Sequence, residues 1–131
     1  MTQEKKQLLL IDLCARIFYG VKILHEGWNY EWDQELSTVE RVVGIDDKFV
    51  YTKVIDTYTG EEYRDDKWPI STFDDKPFLR PMTSMTKEET KEFMQLWGYD
   101  IMLDWLNEHH FDYRHLIEKC LALEAPKDMY N

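Results

Sequence analysis

Residues 76–89, KPFLRPMTSMTKEE, separate a part of the chain with the pattern of β-strands from a part with the pattern of helices. Pro77 and Pro81 each bias the preceding residue toward extended backbone, so we expect no helix to cross this segment. Thr86 and Glu89 have the spacing of a capping box, in which the threonine caps a helix and the glutamate reaches back to it. The segment therefore predicts the end of a β half and the start of a helical half.

The residues before this segment predict four to six antiparallel strands joined by short connections. Trp28, Tyr30 and Trp32 alternate with polar residues, which is the pattern of one strand with an aromatic face. Residues 49–55, FVYTKVI, have the β-branched and aromatic density of a buried strand. We expect the following hairpin strand to end near residue 64 and residues 65–75 to form a loop, because aspartate pairs favour turns. A meander that closes into a small barrel, or a strongly curled sheet, is the simplest architecture.

The spacing of apolar residues predicts helices at 3–18, 87–97, 100–109 and 114–120. In the first helix, we expect Leu13 and Cys14 to be buried and Asp12 and Arg16 to face water. The segment after residue 80 is expected to bury Met82, Met85, Phe93, Met94, Trp97, Ile101, Met102, Trp105 and Leu106. Residues 121–123 fit a short extended segment, and residues from 125 onward fit a frayed tail.

We expect one α+β domain over residues 1–131. It divides into an N-terminal helix at 1–20, a small antiparallel meander or barrel of four to six strands at 21–80, and a helical half at 81–131 packed on the sheet. With 44% apolar and 15% aromatic residues, the chain has the composition of a folded protein rather than of a disordered one. The N-terminus lacks the pattern of a signal peptide or a membrane span, so we expect a cytoplasmic protein without membrane association.

The charge balance is acidic, with 26 acidic and 16 basic residues and a formal net charge of −10. The acidic residues are spread along the chain and are not confined to a tail. Such a surface repels polyphosphates and favours solubility, so it argues against a nucleic-acid partner.

Four stretches of the chain form a distinctive combination of motifs. They are LCARIFYGV at 13–21, LRPMTSMT at 79–86, DWLNEHHFDYR at 104–114 and LALEAP at 121–126. Together they resemble a group of small uncharacterised acidic proteins from Bacteroides-type gut bacteria and their phages and mobile elements. The resemblance implies a bacterial, cytoplasmic accessory protein carried by mobile DNA, and it supplies no activity and no catalytic residues. Phe18, His115 and Cys120 stand where that pattern has Pro, Gly and Gly, which counts against tight turns at these points.

The densest cluster of metal-ligand residue types contains His109, His110, Asp112, His115 and Cys120. Adjacent residues on a helix point about 100° apart, so the two neighbouring histidines do not easily share one ion. We expect these side chains to serve helix ends and packing, and we expect no metal and no cofactor.

Cysteine chemistry and catalysis have little support in the sequence. Cys14 and Cys120 are too few for a disulfide framework and lack the paired spacing of a zinc site, so we expect buried free thiols. The chain contains no Gly-rich phosphate loop, no nucleophile elbow and no carboxylate signature of acid–base catalysis. We therefore expect a protein that is not an enzyme.

The aromatic residues Trp28, Tyr30, Trp32 and Tyr51 form the most distinctive binding candidate. Small barrels use such rings as a stacking platform for single-stranded nucleic acid or sugars, whereas the simpler interpretation places the rings in the core. The acidic neighbours at 26, 31, 33 and 35 oppose phosphate binding more than they oppose a protein partner.

The sequence favours a non-catalytic protein-interaction or accessory protein whose partner is another protein. A sharper version is an acidic DNA mimic that occupies a DNA-binding host protein. The two other classes are a nucleic-acid-binding barrel that uses the aromatic strand and a small metal-dependent enzyme built around His109–His115. Exposed rings beside a basic patch would favour the barrel, and convergence of the histidines in a cleft would favour the enzyme.

Overall fold

The computed structural model describes residues 1–29 and 31–130. It has the α+β class predicted from the sequence, with a helix first, a mostly antiparallel sheet next and further helices near the end. The helices are α1 Gln3–Arg16, α2 Lys87–Met94 and α3 Tyr99–Glu108. The strands are β1 Lys22–Asn29, β2 Gln34–Ile45, β3 Phe49–Ile55, β4 Glu62–Pro69, β5 Lys76–Leu79 and β6 Leu123–Glu124. Short 3-10 turns occupy Ile17–Tyr19, Ile70–Thr72 and Met82–Ser84.

The sheet has the strand order β4-β3-β2-β1-β5-β6. Strands β1 to β4 form an antiparallel meander, β5 pairs antiparallel with β1, and β6 pairs parallel with β5. The edge strands β4 and β6 do not pair with each other, so the sheet formed by the described residues is open. Of the two predicted architectures, the structure therefore resembles the curled sheet rather than the closed barrel.

The open sheet is nevertheless strongly curled. Trp68 on β4 and His25 on β1 are separated by two strands, yet their rings stack with centroids 3.8 Å apart. Strands in a sheet are spaced about 4.8 Å apart, so a flat sheet would hold these positions roughly 14 Å apart. Long side chains therefore bridge the concave face that the strands themselves do not close.

The main core lies between this concave face and α1. Alternate residues of β3 are buried, as a period of two requires when one face of a sheet is covered. The buried core cluster contains Leu9, Leu13, Val21, Ile23, Val42, Val50, Phe73, Leu79, Leu116, Leu121 and Ala122. The helix and the residues before β6 thus cover one end of the concave face.

Two strand predictions are wrong in their extent. The predicted strand at 28–32 ends at Asn29 as part of β1, and residues 31–33 form a turn. The predicted loop at 65–69 belongs to β4, where Asp66 and Lys67 pair with Thr52 and Tyr51 of β3. Ladder hydrogen bonds with a neighbouring strand outweigh the turn preference of an aspartate pair.

The predicted inward face of α1 is also partly wrong. Asp12 and Arg16 are fully buried, whereas Cys14 is exposed. The helix turns its charged stripe inward because Arg16 reaches the carbonyl of Phe111, 2.6 Å away, from the far end of the chain. Cys120 is also exposed, so both cysteines are free, as expected, but neither is buried.

The helix predicted at 114–120 is a series of turns. The Asp112 carboxylate accepts hydrogen bonds from the backbone N–H groups of Leu116 and Ile117, which replaces helical bonding. His115 and Cys120 have φ of 60° and 61°, in the left-handed region that glycine adopts without strain. Tight turns therefore do occur at these two points, against the expectation, and non-glycine residues there cost about 1 kcal/mol each.

The segment at 76–89 has the predicted corner. The Thr86 hydroxyl accepts a bond from the Glu89 N–H at 3.1 Å, and the Glu89 carboxylate accepts one from the Thr86 N–H at 3.0 Å. Arg80 pairs with the same carboxylate at 2.6 Å and holds the pKa of Glu89 at about 2. Met85 packs inside as expected, but Met82 is exposed.

The residues from 125 onward were expected to fray, and the structure shows that residues 125–130 are held in place. The Tyr130 hydroxyl donates to the Phe78 carbonyl at 2.6 Å and accepts from the Lys22 N–H at 3.0 Å. The Ala125 N–H donates to the Leu79 carbonyl at 2.7 Å. These bonds tie the end of the described chain to β1 and β5.

Candidate functional site

The corner between α2 and α3 exposes four large apolar side chains within eight residues of sequence. Met94 is 79% exposed, Trp97 87%, Tyr99 75% and Ile101 55%. The chain reverses here because Gly98 takes a φ of 93°, which side-chain-bearing residues rarely adopt. We call these four residues the aromatic corner.

The aromatic corner is distinct from the apolar face that the same helices bury. Phe93 and Trp105 pack with ring centroids 5.3 Å apart, and Leu96 joins the same cluster around Phe111. These residues fill the space behind the short helix α2, so Met94 and Trp97 point away from it. The prediction that Met94, Trp97 and Ile101 are buried is therefore wrong.

The aromatic corner lies in an acidic part of the sequence. Between residues 86 and 108 there are six acidic side chains and two lysines. Exposed apolar patches rimmed by charged residues are typical of protein-binding surfaces. The corner therefore has the composition to bind an apolar pocket with basic side chains around it.

A second candidate site is a cleft of about 290 Å³ at the end of the concave face nearest the β1–β2 turn. Its walls come from β1, β2 and β4, which the curl of the sheet brings together. The lining residues are His25, Gly27, Trp28, Leu36, Thr38, Arg64 and Trp68. We call this site the concave cleft.

His25 is held in the concave cleft by two contacts. Its Nδ1 lies 2.7 Å from the Asp75 carboxylate, and its ring stacks on Trp68 with an interplanar angle of 15°. Burial raises the pKa of Asp75 to about 6, against the opposing effect of its bond to His25. Gly27 leaves room beside the imidazole, since a Cβ there would lie 3.4 Å from His25 Nε2.

The floor behind the cleft is a buried carboxyl group. Glu40 is fully buried and accepts hydrogen bonds from the Thr38 hydroxyl at 2.6 Å, the Thr52 hydroxyl at 2.6 Å and the Trp68 indole N–H at 2.8 Å. These bonds link β2, β3 and β4 and fix the Trp68 ring on which His25 stacks. Glu40 therefore positions the wall of the cleft.

The predicted aromatic face is only partly described. Trp28 in β1 and Trp32 in the following turn are exposed, so the expectation that these rings lie in the core is wrong. Tyr51 donates its hydroxyl to Asp46 at 2.6 Å on the convex side of β3. Tyr30 lies outside the described residues. Of the four, Trp28 lines the concave cleft.

The four residues of the predicted polar cluster have separate structural roles. His109 stacks on Trp105 with centroids 4.1 Å apart, and His110 is buried and stacks on Tyr130 at 3.6 Å. Burial and the nearby Arg16 charge lower the pKa of His110 to about 3. Asp112 bonds backbone N–H groups, and exposed His115 lies 3.7 Å from Glu118. Over residues 1–29 and 31–130, no three His, Cys, Asp or Glu side chains are grouped to hold a metal ion.

Sequence reasoning missed the cleft because its members are spread over three strands and a loop. His25 lies on the side of β1 that carries Ile23, whereas Asp75 falls in the segment 65–75 that the sequence predicts as a loop. The one local signal is Glu40, which alternates with β-branched residues and takes an inward position between Thr38 and Val42. A polar residue at an inward position is expected to have a hydrogen-bonding role.

The chain matches none of the protein-family models, curated proteins or solved structures with which it was compared. Its function therefore has to follow from the chemistry of its own residues. Within the described part of the chain, no helix combines the length and the apolar character needed to cross a bilayer.

We expect Asp75 to reduce stability as the pH rises. Its folded pKa of about 6 lies above the ordinary value of 3.8, so the folded protein keeps a proton that the unfolded chain has already lost. Stability from this group is full below the ordinary value and is lost as the pH rises to about 6. Asp75→Asn should remove this dependence, so that from about pH 4 to pH 7 the wild type loses about 1–2 kcal/mol relative to the variant.

The measurement is urea unfolding of both proteins over this pH range. Asp74→Asn is the matched control, because Asp74 is the exposed neighbour in sequence and its charge is the smallest of the effects that raise the pKa of Asp75, so this variant should stay close to the wild-type profile. Parallel profiles for the wild type and Asp75→Asn would contradict the raised pKa.

Proposed function

We propose that this protein is a non-catalytic interaction protein that docks on another protein through the aromatic corner. The observation that carries the proposal is the exposure of Met94, Trp97, Tyr99 and Ile101 within eight residues around one helix–helix turn. Tryptophan, tyrosine and methionine are enriched in interfaces, and tryptophan and tyrosine dominate their binding energy. Burial of a side chain as large as Trp97 is worth about 2–3 kcal/mol.

The charge around the corner defines the partner further. With six acidic side chains against two lysines between residues 86 and 108, the approach of a basic surface is favoured and that of an acidic one is opposed. The partner is therefore a protein with an apolar pocket bordered by lysine or arginine. The resemblance to small acidic proteins of gut bacteria and mobile elements supports a partner in a bacterial cytoplasm.

The acidic surface alone gives less support to a DNA-mimic function. Basic side chains stand among the acids of the sheet, as in the pairs Arg41–Glu62 at 3.0 Å and Lys53–Asp65 at 2.8 Å. Such pairing interrupts the row of unpaired negative charges that imitation of a phosphate backbone needs. The aromatic corner is therefore the preferred docking element.

The test is a quantitative affinity capture from a gut Bacteroides lysate with three baits. Trp97→Gln/Tyr99→Gln removes the two rings from the corner, and Tyr58→Gln removes an equally exposed ring, since Tyr58 is 98% exposed. We expect one protein to be recovered with the wild type and the Tyr58 control and to fall at least about tenfold with the corner variant. With the partner purified, affinity should decrease as salt is raised.

Two outcomes would overturn the proposal. The first is the recovery of no protein that distinguishes the corner variant from the Tyr58 control. The second is self-association, in which the wild type sediments as a dimer and the corner variant as a monomer. The second outcome would make the corner an interface between copies of this chain.

A further inference from the structure

The concave cleft differs in charge from the rest of the protein. The chain has 26 acidic residues in 131, yet none of them is among the described residues that line this cleft. Its charged and titratable lining residues are Arg64 and His25, and the remaining lining is aromatic, aliphatic or hydroxyl-bearing. Asp66 and Asp75, which bond Arg64 and His25, lie outside this lining, so the cleft itself presents a cationic group and no carboxylate to a ligand.

Arg64 is placed to bind an anion. Its Nε and Nη2 both bond the same oxygen of Asp66, at 3.2 Å and 2.9 Å, so Nη1 is left out of that pair. The side chain is half exposed and lines the cleft. A guanidinium group presents donors in a planar fork that matches a carboxylate.

The remaining walls select a flat ring. Trp28 and Leu36 provide exposed apolar surface, while Trp68 and His25 form a fixed stacked pair on the other side. In the neutral tautomer that donates Nδ1–H to Asp75, the Nε2 atom of His25 beside Gly27 accepts from a donor on the ring. A volume of about 290 Å³ lies at the lower end of small-molecule sites, which run from roughly 300 to 1,000 Å³.

We propose that the concave cleft binds a small planar aromatic molecule that carries an anionic group. The ring packs against Trp28 and Leu36, its polar edge donates to His25 Nε2, and its anionic group pairs with Arg64. This binding site shares no residue with the aromatic corner. A test of ligand binding in the cleft is therefore independent of a test of the protein partner.

The first test compares the binding of three probes, which share the indole ring and differ in charge, to the full chain. Indole-3-carboxylate is anionic, indole is neutral and tryptamine is cationic. The formal charge of −10 attracts tryptamine to the protein as a whole and repels the carboxylate. Preference for the carboxylate against this overall field therefore reports the local chemistry of the cleft.

The readout is a two-dimensional NMR titration of the indole N–H and arginine Nε–H signals. We expect saturable shifts of the Trp68, Trp28 and Arg64 signals with indole-3-carboxylate, and an affinity at least about tenfold higher than for indole or tryptamine. No saturable shift at these residues, or tighter binding of tryptamine, would overturn the proposal. Shifts confined to the aromatic corner would also overturn it, because the probe would then bind elsewhere.

The second test changes the anion-binding side chain. Arg64→Gln should weaken indole-3-carboxylate at least about tenfold and leave indole nearly unchanged, whereas Arg64→Lys should give an intermediate loss. Arg41→Gln is the matched control, since Arg41 is a partly exposed arginine of the same sheet and is paired with Glu62. Equal losses in Arg64→Gln and Arg41→Gln would show a general charge effect and reject the site.

Discussion

Replacement of Asp12 by leucine is expected to destabilise the protein by about 3–5 kcal/mol, because it leaves a buried charge without its partner. Asp12 is fully buried and accepts from Arg16 Nε at 3.0 Å, Arg16 Nη2 at 3.1 Å and Arg114 Nη1 at 2.8 Å. Without this carboxylate, the guanidinium of Arg16 remains in the core with no negative charge beside it.

The buried pair is already incompletely satisfied. Arg16 Nη1 is buried and has no hydrogen-bond partner among the described residues, although Nη2 also donates to the Phe111 carbonyl at 2.6 Å. In the described part of the chain, Arg16 has Asp12 and the Phe111 carbonyl as its acceptors, so the loss of Asp12 leaves it with the carbonyl alone. Arg114 differs, since its partly exposed side chain can turn toward water.

The double variant Asp12→Leu/Arg16→Met tests this explanation. Replacing both members of a buried pair by apolar residues is often neutral, so the double variant should regain at least about half of the loss. The Phe111 carbonyl keeps a donor, the Tyr113 N–H at 3.1 Å. Glu4→Leu, an exposed acid of the same helix, is the control and should change the free energy of unfolding by less than about 1 kcal/mol. Additive losses in the double variant would contradict the coupling.

Replacement of Glu40 by leucine is expected to cost about 3–5 kcal/mol, from about 1–3 kcal/mol for each buried donor left without an acceptor. The volume of the side chain is nearly kept, so the loss reports hydrogen bonds rather than a cavity. Thr52 is buried and Trp68 is half-buried, and both lose their bond to the same carboxyl group. Chemical denaturation gives the free energy of unfolding.

A second effect of this change reaches the concave cleft. Release of the Trp68 indole N–H should move its NMR signal and weaken the stacking of His25 on the ring, which opens the cleft wall. Glu40→Gln keeps one acceptor oxygen in place, so we expect a loss of about 1–2 kcal/mol and a smaller displacement of the Trp68 signal. A leucine variant as stable as the glutamine variant would show that the three bonds do not support the sheet.

Local rules in the sequence predicted much of the fold. The capping box at Thr86 and Glu89 is present as expected, and strand β3 spans the predicted residues 49–55. Both depend on interactions between near neighbours or on a simple alternation. The Trp28–Trp32 alternation failed because it continues through a hairpin turn, and periodicity alone does not show where a strand reverses.

The candidate sites were harder to predict because each depends on which parts of the chain pack against one another in the folded protein. The aromatic corner has the composition of a buried helix face, but α2 is short, and only Phe93 within it and Leu96 just after it pack against the buried cluster. The concave cleft needs His25, Asp75 and Trp68 to meet, and these residues are far apart in the chain.

The sequence by itself determined the α+β class, the first helix, strand β3 and the corner at 76–89, because backbone preferences and hydrophobic periodicity are local properties. Only the tertiary structure decided that Asp12 and Arg16 are buried, that Trp97 faces solvent and that Glu40 supports a cleft. The physical reason is that burial depends on the partner across the core. The Arg16 charge lies inside because Asp12 and the Phe111 carbonyl receive its donors there, and Phe111 is 95 residues away along the chain.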